Sequence, residues 1–362
     1  FKIQNRFPDA PPITIRNLIT HTSGLPREAD FPYWSEKFEF PDLEQLKEVL
    51  PTQENALPTY TRWKYSNLAV SLAGEIVAAA SGMPYTDYVK ANILDPLGMT
   101  NTYAAMDAPP PGLSIGYNRK FPGKPRDPLP FIDCRAITPA ANLATSVEDL
   151  AKFAMLQFRS GPAGGAQILS GWSLAEMHRP HWVNPGWDGG WGLGFIIWRK
   201  AGKTYVGHTG GLQGFTTYFV TCPEDKIAAI ALTNSNDSEP SKVIDGIFNW
   251  VAPRILEAMP KPKPAQVDGL EKYSGKYRTY SNLTNVMLHD GGLVLFSPLE
   301  EDPFAAAAKL IPEGEHTFRV EAANGFGIHG EKVTFELNPD GTVYRMKTGA
   351  NYAYRVTDWL DF

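Results

Sequence analysis

Cysteine is nearly absent from this chain: Cys134 and Cys222 are the only two in 362 residues. Two thiols so far apart exclude a disulfide-stapled scaffold, and no C-x-x-C pair offers a metal-binding spacing. One bridge between them is open on sequence grounds, but two buried thiols are the expectation. Long apolar runs are also missing, and none approaches the ~18 residues of a membrane span. Neither sign of charge dominates, with 34 Lys+Arg against 39 Asp+Glu and a net charge of −5. From Ala265 onward there are 9 basic and 14 acidic residues, leaving 25 of each sign before it. Neither part carries the basic excess of a nucleic-acid binder. Internal repeats and low-complexity tracts are absent. The chain opens at Phe1-Lys2-Ile3, with no initiator Met and no charged-then-apolar leader.

What is present is an ordinary globular composition, 43% hydrophobic and 20% charged, on a chain long enough for two domains. From Tyr65 to Ala80, Leu68, Leu72, Ile76 and Ala80 fall four apart and predict a helix. Ser66 or Asn67 can cap its start, and Gly82 suits its end. A second helix is expected from Thr86 through Leu94, stopping near Pro96-Leu97-Gly98. Ser146-Val147-Glu148-Asp149 reads as a capping box opening a third, Leu150 to Phe158. Strands are expected at Trp191–Trp198, Thr204–Val206, Phe215–Thr221 and Lys226–Thr233, followed by a helix from Ser241 to Met259. Pro260-Lys261-Pro262-Lys263-Pro264 reads as a stiff linker. It divides the chain into 1–259 and 265–362. Beyond it, seven or eight short strands with Asp290-Gly291 and Asp340-Gly341 hairpin signals predict a small antiparallel barrel or sandwich.

Two short motifs carry the chemistry: Tyr65-Ser66-Asn67 and His208-Thr209-Gly210-Gly211. Together with Pro12 to Pro26, which contains His21-Thr22-Ser23-Gly24, and Pro139 to Leu150, they form a spaced set. The set resembles the serine hydrolases related to penicillin-binding proteins and class C β-lactamases. Asn142 stands where Gly is usual in that pattern. The family's nucleophile is a Ser with Lys three residues later, and no Ser of these 362 residues has that neighbour. The expectation is therefore that Phe1 is not the natural N-terminus and that Ser-x-x-Lys lies upstream, or is supplied as a separate N-terminal chain. The 362 residues alone would then be inactive. The resemblance covers about Pro11 to Trp250; the end of the chain resembles, more weakly, the lipocalin-like C-terminal domain of some members.

The resemblance implies an α/β (α+β) fold: an antiparallel sheet flanked by helices, a helical subdomain over about Ile13 to Phe158, then a β-barrel. It also implies acyl transfer to Ser followed by hydrolysis. Tyr65 matches the proton-transfer residue, His208 the cationic residue of the later strand, and Gly211 the donor of half the oxyanion hole. Asn67, Thr209 and Gly210 match substrate-binding positions. A phenol titrates near ~10 and needs nearby cations to act as a base, whereas His titrates near ~6.5, so a charge at His208 would depend on pH. His21 is expected to be structural, organising the turn at Ser23-Gly24. His178 and His181 have metal-like spacing but no evident third ligand, and a solvated loop is expected there. Trp187, Trp191 and Trp198 either line a pocket or pack in the core.

No cofactor or metal is implied. Substrates would be D-amino-acid peptides, esters or β-lactams, and His rather than Lys at 208 leans toward DD-peptidases and D-aminopeptidases. The family resemblance favours a periplasmic or secreted protein. The readings from other classes are a non-catalytic protein holding a ligand in the groove or the barrel, and an interaction module built on the barrel.

Overall fold

The computed structural model describes residues 1–35, 37–159, 166–260, 269–323, 325 and 327–358. The chain divides into two compact units, Phe1–Met259 and Pro260–Phe362. Residues 261–264 of the Pro-rich stretch lie outside the described residues.

In the first unit, helix α1 (Ile15–Ile19) is opened by a reciprocal cap between Thr14 and Asn17. Helix α2 (Leu43–Val49) is opened the same way by Asp42 and Gln45. Helix α3 (Asn67–Ser81) starts where the Ser66 hydroxyl accepts from the Ala69 N–H, and it ends at Gly82, whose φ of +70° favours glycine. Leu68 and Leu72 of α3 pack with Leu18, Leu25, Leu46 and Leu50, all buried. Each such side chain contributes about 1.5–3 kcal/mol by leaving water. The capping box expected at Ser146 is half formed. Ser146 caps helix Val147–Leu156 by accepting from the Asp149 N–H, but the Asp149 carboxylate accepts instead from the Asn101 N–H and the Thr102 hydroxyl.

Six antiparallel strands follow as a meander: β1 (Trp182–Val183), β2 (Gly189–Trp191), β3 (Ile196–Lys200), β4 (Lys203–Leu212), β5 (Phe215–Cys222) and β6 (Ile227–Thr233). The single strand expected at Trp191–Trp198 is two paired strands, because the chain reverses through Gly194 at φ +76°. Strand β4 reaches well past the expected Thr204–Val206 and carries His208 through Gly211. One face of the sheet packs Tyr205, Val220, Ala229 and Ala231 against Ile244. Cys134 and Cys222 are both buried and free. Among the described residues, no single helix is long and apolar enough to cross a membrane.

The second unit is a closed, up-and-down barrel of eight antiparallel strands, β7 (Gly275–Arg278) to β14 (Asn351–Val356), sealed by pairing of β14 with β7. The sequence reading misses one of them, β10 (Ala308–Gly314). Its interior is filled by side chains, with Tyr273, Phe318 and Phe335 in mutual ring contact and Tyr277 against Phe335. The Tyr277 hydroxyl donates to the Tyr273 carbonyl at 2.7 Å.

Candidate active site

Tyr65 is the last extended residue but one before α3, and His208 lies in the middle of β4. The fold brings their rings to 6.2 Å between centroids. Trp191 of β2 fills the space beside both, 5.9 Å from Tyr65 and 5.4 Å from His208. His21 stacks on Tyr65 at 4.2 Å, and its Nδ1 accepts the Ser66 N–H at 3.1 Å. The His21 carbonyl accepts the Lys64 N–H at 2.8 Å. His21 therefore fixes the backbone on both sides of Tyr65, and it does so from a left-handed φ of +55°. Its structural role reaches beyond the Ser23-Gly24 turn to the wall of the site.

Electrostatics follow from this packing. Burial is the main cause that pushes the His21 pKa down to about 3, with the nearby His208 and Arg27 adding to the effect. Burial also holds His208 below the usual imidazole range, against a raising hydrogen bond with Thr209. His208 is then neutral at neutral pH. The Nδ1–H donates to the Thr209 carbonyl, leaving Nε2 as an acceptor. Tyr65 is pushed above the usual phenol range, first by burial; Arg27 opposes and Glu28 adds to this.

Arg27 and Glu28 are site residues that lie outside the motif set. The Arg27 guanidinium sits 5.0 Å from the centre of the Tyr65 ring. Glu28 accepts from the Asn67 side-chain amide at 2.9 Å and from the Trp34 indole N–H at 3.4 Å. Burial raises the Glu28 pKa. Only the composition of the segment Pro26 to Asp30, with Arg and Glu adjacent after a Gly-Leu-Pro turn, hinted at them.

Asn67 is 8% exposed, with its amide nitrogen committed to Glu28 and its carbonyl oxygen still available. Thr209 and Gly211 are exposed on β4. A Cβ at Gly210 would meet the Thr217 hydroxyl at 2.2 Å, whereas one at Gly211 would meet nothing within 4 Å. Gly210 is thus required by the sheet, and Gly211 faces open space. A cavity of about 430 Å³ begins at Gly211 and is walled by Trp34, the partner of Glu28. Through Glu28 and Trp34, Asn67 is linked to the same cavity edge as Gly211.

The other histidines do not form a metal site. His178 ends helix Gly171–His178 and contacts the Gln157 side chain, while the His181 ring contacts Arg16 and the Glu176 carbonyl. The expected solvated loop is instead a packed corner, with the His181 side chain 8% exposed. Among the described residues, no group of three or more His, Cys, Asp and Glu could hold a metal ion. The three tryptophans also separate. Trp191 belongs to the site, Trp198 stacks on Tyr205 and Tyr218, and Trp187 is 85% exposed.

A family model described as Beta-lactamase matches residues 4–252. The chain is similar to the Unguisins hydrolase ungD' of Aspergillus campestris, with 23% identity over 92% of this chain and 70% of that protein. It is 31% identical to the D-alanyl-D-alanine-carboxypeptidase/endopeptidase AmpH of Escherichia coli, over 66% of this chain and 63% of that protein. The match therefore spans less than two thirds of the carboxypeptidase's length. Among solved structures, the octameric penicillin-binding protein homologue from Pyrococcus abyssi shares the fold, with a TM-score of 0.57 at 22% identity, covering 95% of this chain and 78% of that one.

Proposed function

Because this chain belongs to the beta-lactamase family, we propose that it is the larger part of a serine hydrolase that works through an acyl-enzyme on D-amino-acid peptides or esters, with β-lactams as further candidates. The observation that carries the reading is the approach of Tyr65 to His208, 6.2 Å between ring centroids, beside the open strand position Gly211. A carboxypeptidase among the relatives supports a peptide substrate.

In this reading the nucleophile is a Ser followed three residues later by Lys, outside these 362 residues, and the chain by itself does not turn over. The Ser hydroxyl gives its proton to Tyr65 as it attacks the acyl carbon, and Tyr65 returns a proton to the leaving group. Burial keeps the Tyr65 phenol protonated on its own. The cation of the Ser-x-x-Lys lysine, adding to Arg27, is what would make it a base. His208, neutral at neutral pH, contributes Nε2 as a hydrogen-bond acceptor rather than a second fixed positive charge. The Gly211 N–H and the nucleophile's own N–H would hold the oxyanion; one such donor contributes about 3–4 kcal/mol in the transition state. The Asn67 carbonyl, with its amide nitrogen tied to Glu28, is oriented to receive the lysine or a substrate N–H. Thr209 and Gly210 line the strand along which the substrate backbone lies.

The test uses the protein extended to include the nucleophile segment, assayed on a p-nitrophenyl ester and a D-alanyl peptide. Tyr65→Phe is expected to lose about 10²–10⁴-fold in acylation rate, the usual range for a general acid–base residue. Undiminished turnover in a folded Tyr65→Phe variant would remove Tyr65 from the mechanism.

A further inference from the structure

We propose that the hairpin 117–128 is a finger that docks this protein onto an anionic lipid surface, with Phe121 entering the headgroup region and Arg119, Lys120 and Lys124 meeting the lipid phosphates. The inference goes beyond the hydrolase reading and does not depend on it. The arms of the finger are joined by an antiparallel bridge between Tyr117 and Pro128 and by the Asn118 N–H donating to the Asp127 carbonyl at 2.8 Å. Its tip is the turn Phe121-Pro122-Gly123-Lys124, closed by the Lys124 N–H donating to the Phe121 carbonyl at 3.2 Å. Pro at the second position and Gly at φ +75° at the third suit a type II turn. The base is fixed to the sheet unit. The Tyr117 N–H donates to the Asn234 carbonyl at 3.0 Å, and the Asn236 N–H to the Tyr117 carbonyl at 3.1 Å. Gly116 lies so close to β5 that a Cβ there would meet the Phe215 ring at 2.8 Å. The tip is therefore presented ready-formed, and docking need not order it.

Every residue from Arg119 to Pro125 is exposed, and Phe121 at the tip is 50% exposed. One exposed Phe is unremarkable by itself; its company decides the reading. Between residues 108 and 132 the chain carries Arg119, Lys120, Lys124 and Arg126 against Asp127 alone, a net charge of +3 in a chain whose net charge is −5. Arg126 is bound to Asp237, which also accepts the Lys120 N–H. Arg119, Lys120 and Lys124 form no ion pair among the described residues. Three unpaired cations around an apolar tip select the partner. A soluble polyanion would neutralise the cations and leave the Phe121 ring in water. An apolar groove on a protein would take the ring and strip water from the ammonium groups. A bilayer interface accepts both: the ring buries at the acyl boundary, while the lysine stems lie along it and hold their charges at the phosphates. Each cation near such a surface strengthens binding about fivefold. Asn118 and Arg119 also wall the cavity that begins at Gly211, so the docked finger sets that cavity beside the lipid surface.

The experiment is co-sedimentation of the 362-residue protein with phosphatidylcholine vesicles, with and without phosphatidylglycerol. The wild type should bind the phosphatidylglycerol vesicles at least about 10-fold more tightly, and added salt should weaken that binding. Lys120→Gln with Lys124→Gln should lower it about 25-fold, the product of two cations. Phe121→Ser should also weaken it, and Phe121→Trp should keep it. All these positions are exposed, so the thermal midpoints should stay at the wild-type value. Insertion of the tip is read separately. Cys134 and Cys222 are buried, so in a Phe121→Cys variant a polarity-sensitive thiol dye attaches at the tip. Its emission should shift to the blue on phosphatidylglycerol vesicles. No binding to either vesicle, or binding that survives the double lysine substitution, would overturn the proposal. So would a Phe121→Ser variant that binds vesicles like the wild type while both bind heparin, which would mark a polyanion site instead. An unshifted dye on bound protein would equally remove the inserting tip.

Discussion

His21 shows how one buried imidazole can hold a site in place. Its Nδ1 must stay unprotonated to accept the Ser66 N–H, and its face must stay against Tyr65. Burial first, and then the proximity of His208 and Arg27, disfavours the charged imidazole and pushes its pKa down to about 3. The linkage sign follows. The unfolded chain takes up this proton near ~6.5, the folded one only near 3, so the stability His21 protects is complete above ~6.5 and is lost progressively as pH falls toward 3. At about 1.4 kcal/mol per unit, the full loss is about 5 kcal/mol. His208 is depressed too and adds in the same direction. His21→Asn tests this, since Asn tolerates the left-handed φ of +55° and can still accept from Ser66 without titrating. Denaturant midpoints measured from pH 7 to pH 4 should slope less steeply in His21→Asn than in the wild type. Parallel slopes would show that His21 does not titrate with folding.

At the scale of elements, β4 concentrates the chemistry, and its glycines do two different jobs. Gly210→Ala places a methyl 2.2 Å from the Thr217 hydroxyl and should destabilise the protein by about 1–3 kcal/mol. Gly211→Ala meets open space and should leave the thermal midpoint nearly unchanged while weakening binding of a D-alanyl peptide, because the methyl would stand where the substrate backbone passes. Equal thermal shifts in the two variants would contradict the distinction. The same glycines explain why the strand was only partly legible. Thr204 to Val206 reads as β, but Gly207, Gly210 and Gly211 dilute the pattern over the very residues that matter. Helix α3 was legible because its apolar spacing, Ser66 cap and Gly82 stop agree. Strand β10 was not, since Pro312 and the alanines before it carry little strand signal. Tyr65 and His208 could be picked out as a spaced pair. Arg27 and Glu28 could not, because their relation to Tyr65 and Asn67 comes from the turn after α1 folding back onto the start of α3.

For the molecule as a whole, the two compact units differ in how each closes its surface. In the first, β1 and β6 end the sheet, so two strand edges are left without a strand partner among the described residues. The second leaves no sheet edge at all, since every strand from β7 to β14 pairs on both sides. Its core is its own: 14 buried hydrophobic residues from Leu270 to Ala353 form one cluster. A segment of ~100 residues with such a core is large enough to fold alone. The 9 basic and 14 acidic residues from Ala265 onward also give it a net negative charge that opposes self-association. Residues 265–362 expressed alone should therefore give a monomer with a β-type circular dichroism spectrum and one cooperative unfolding transition. Within that fragment Phe335, 1% exposed and in ring contact with Tyr273, Tyr277 and Phe318, is the residue on which most of the aromatic core closes. Phe335→Ala should cost about 3–5 kcal/mol and bring the fragment close to unfolding at room temperature. A fragment with no cooperative transition, or a Phe335→Ala variant as stable as its parent, would show that the barrel does not stand on its own core.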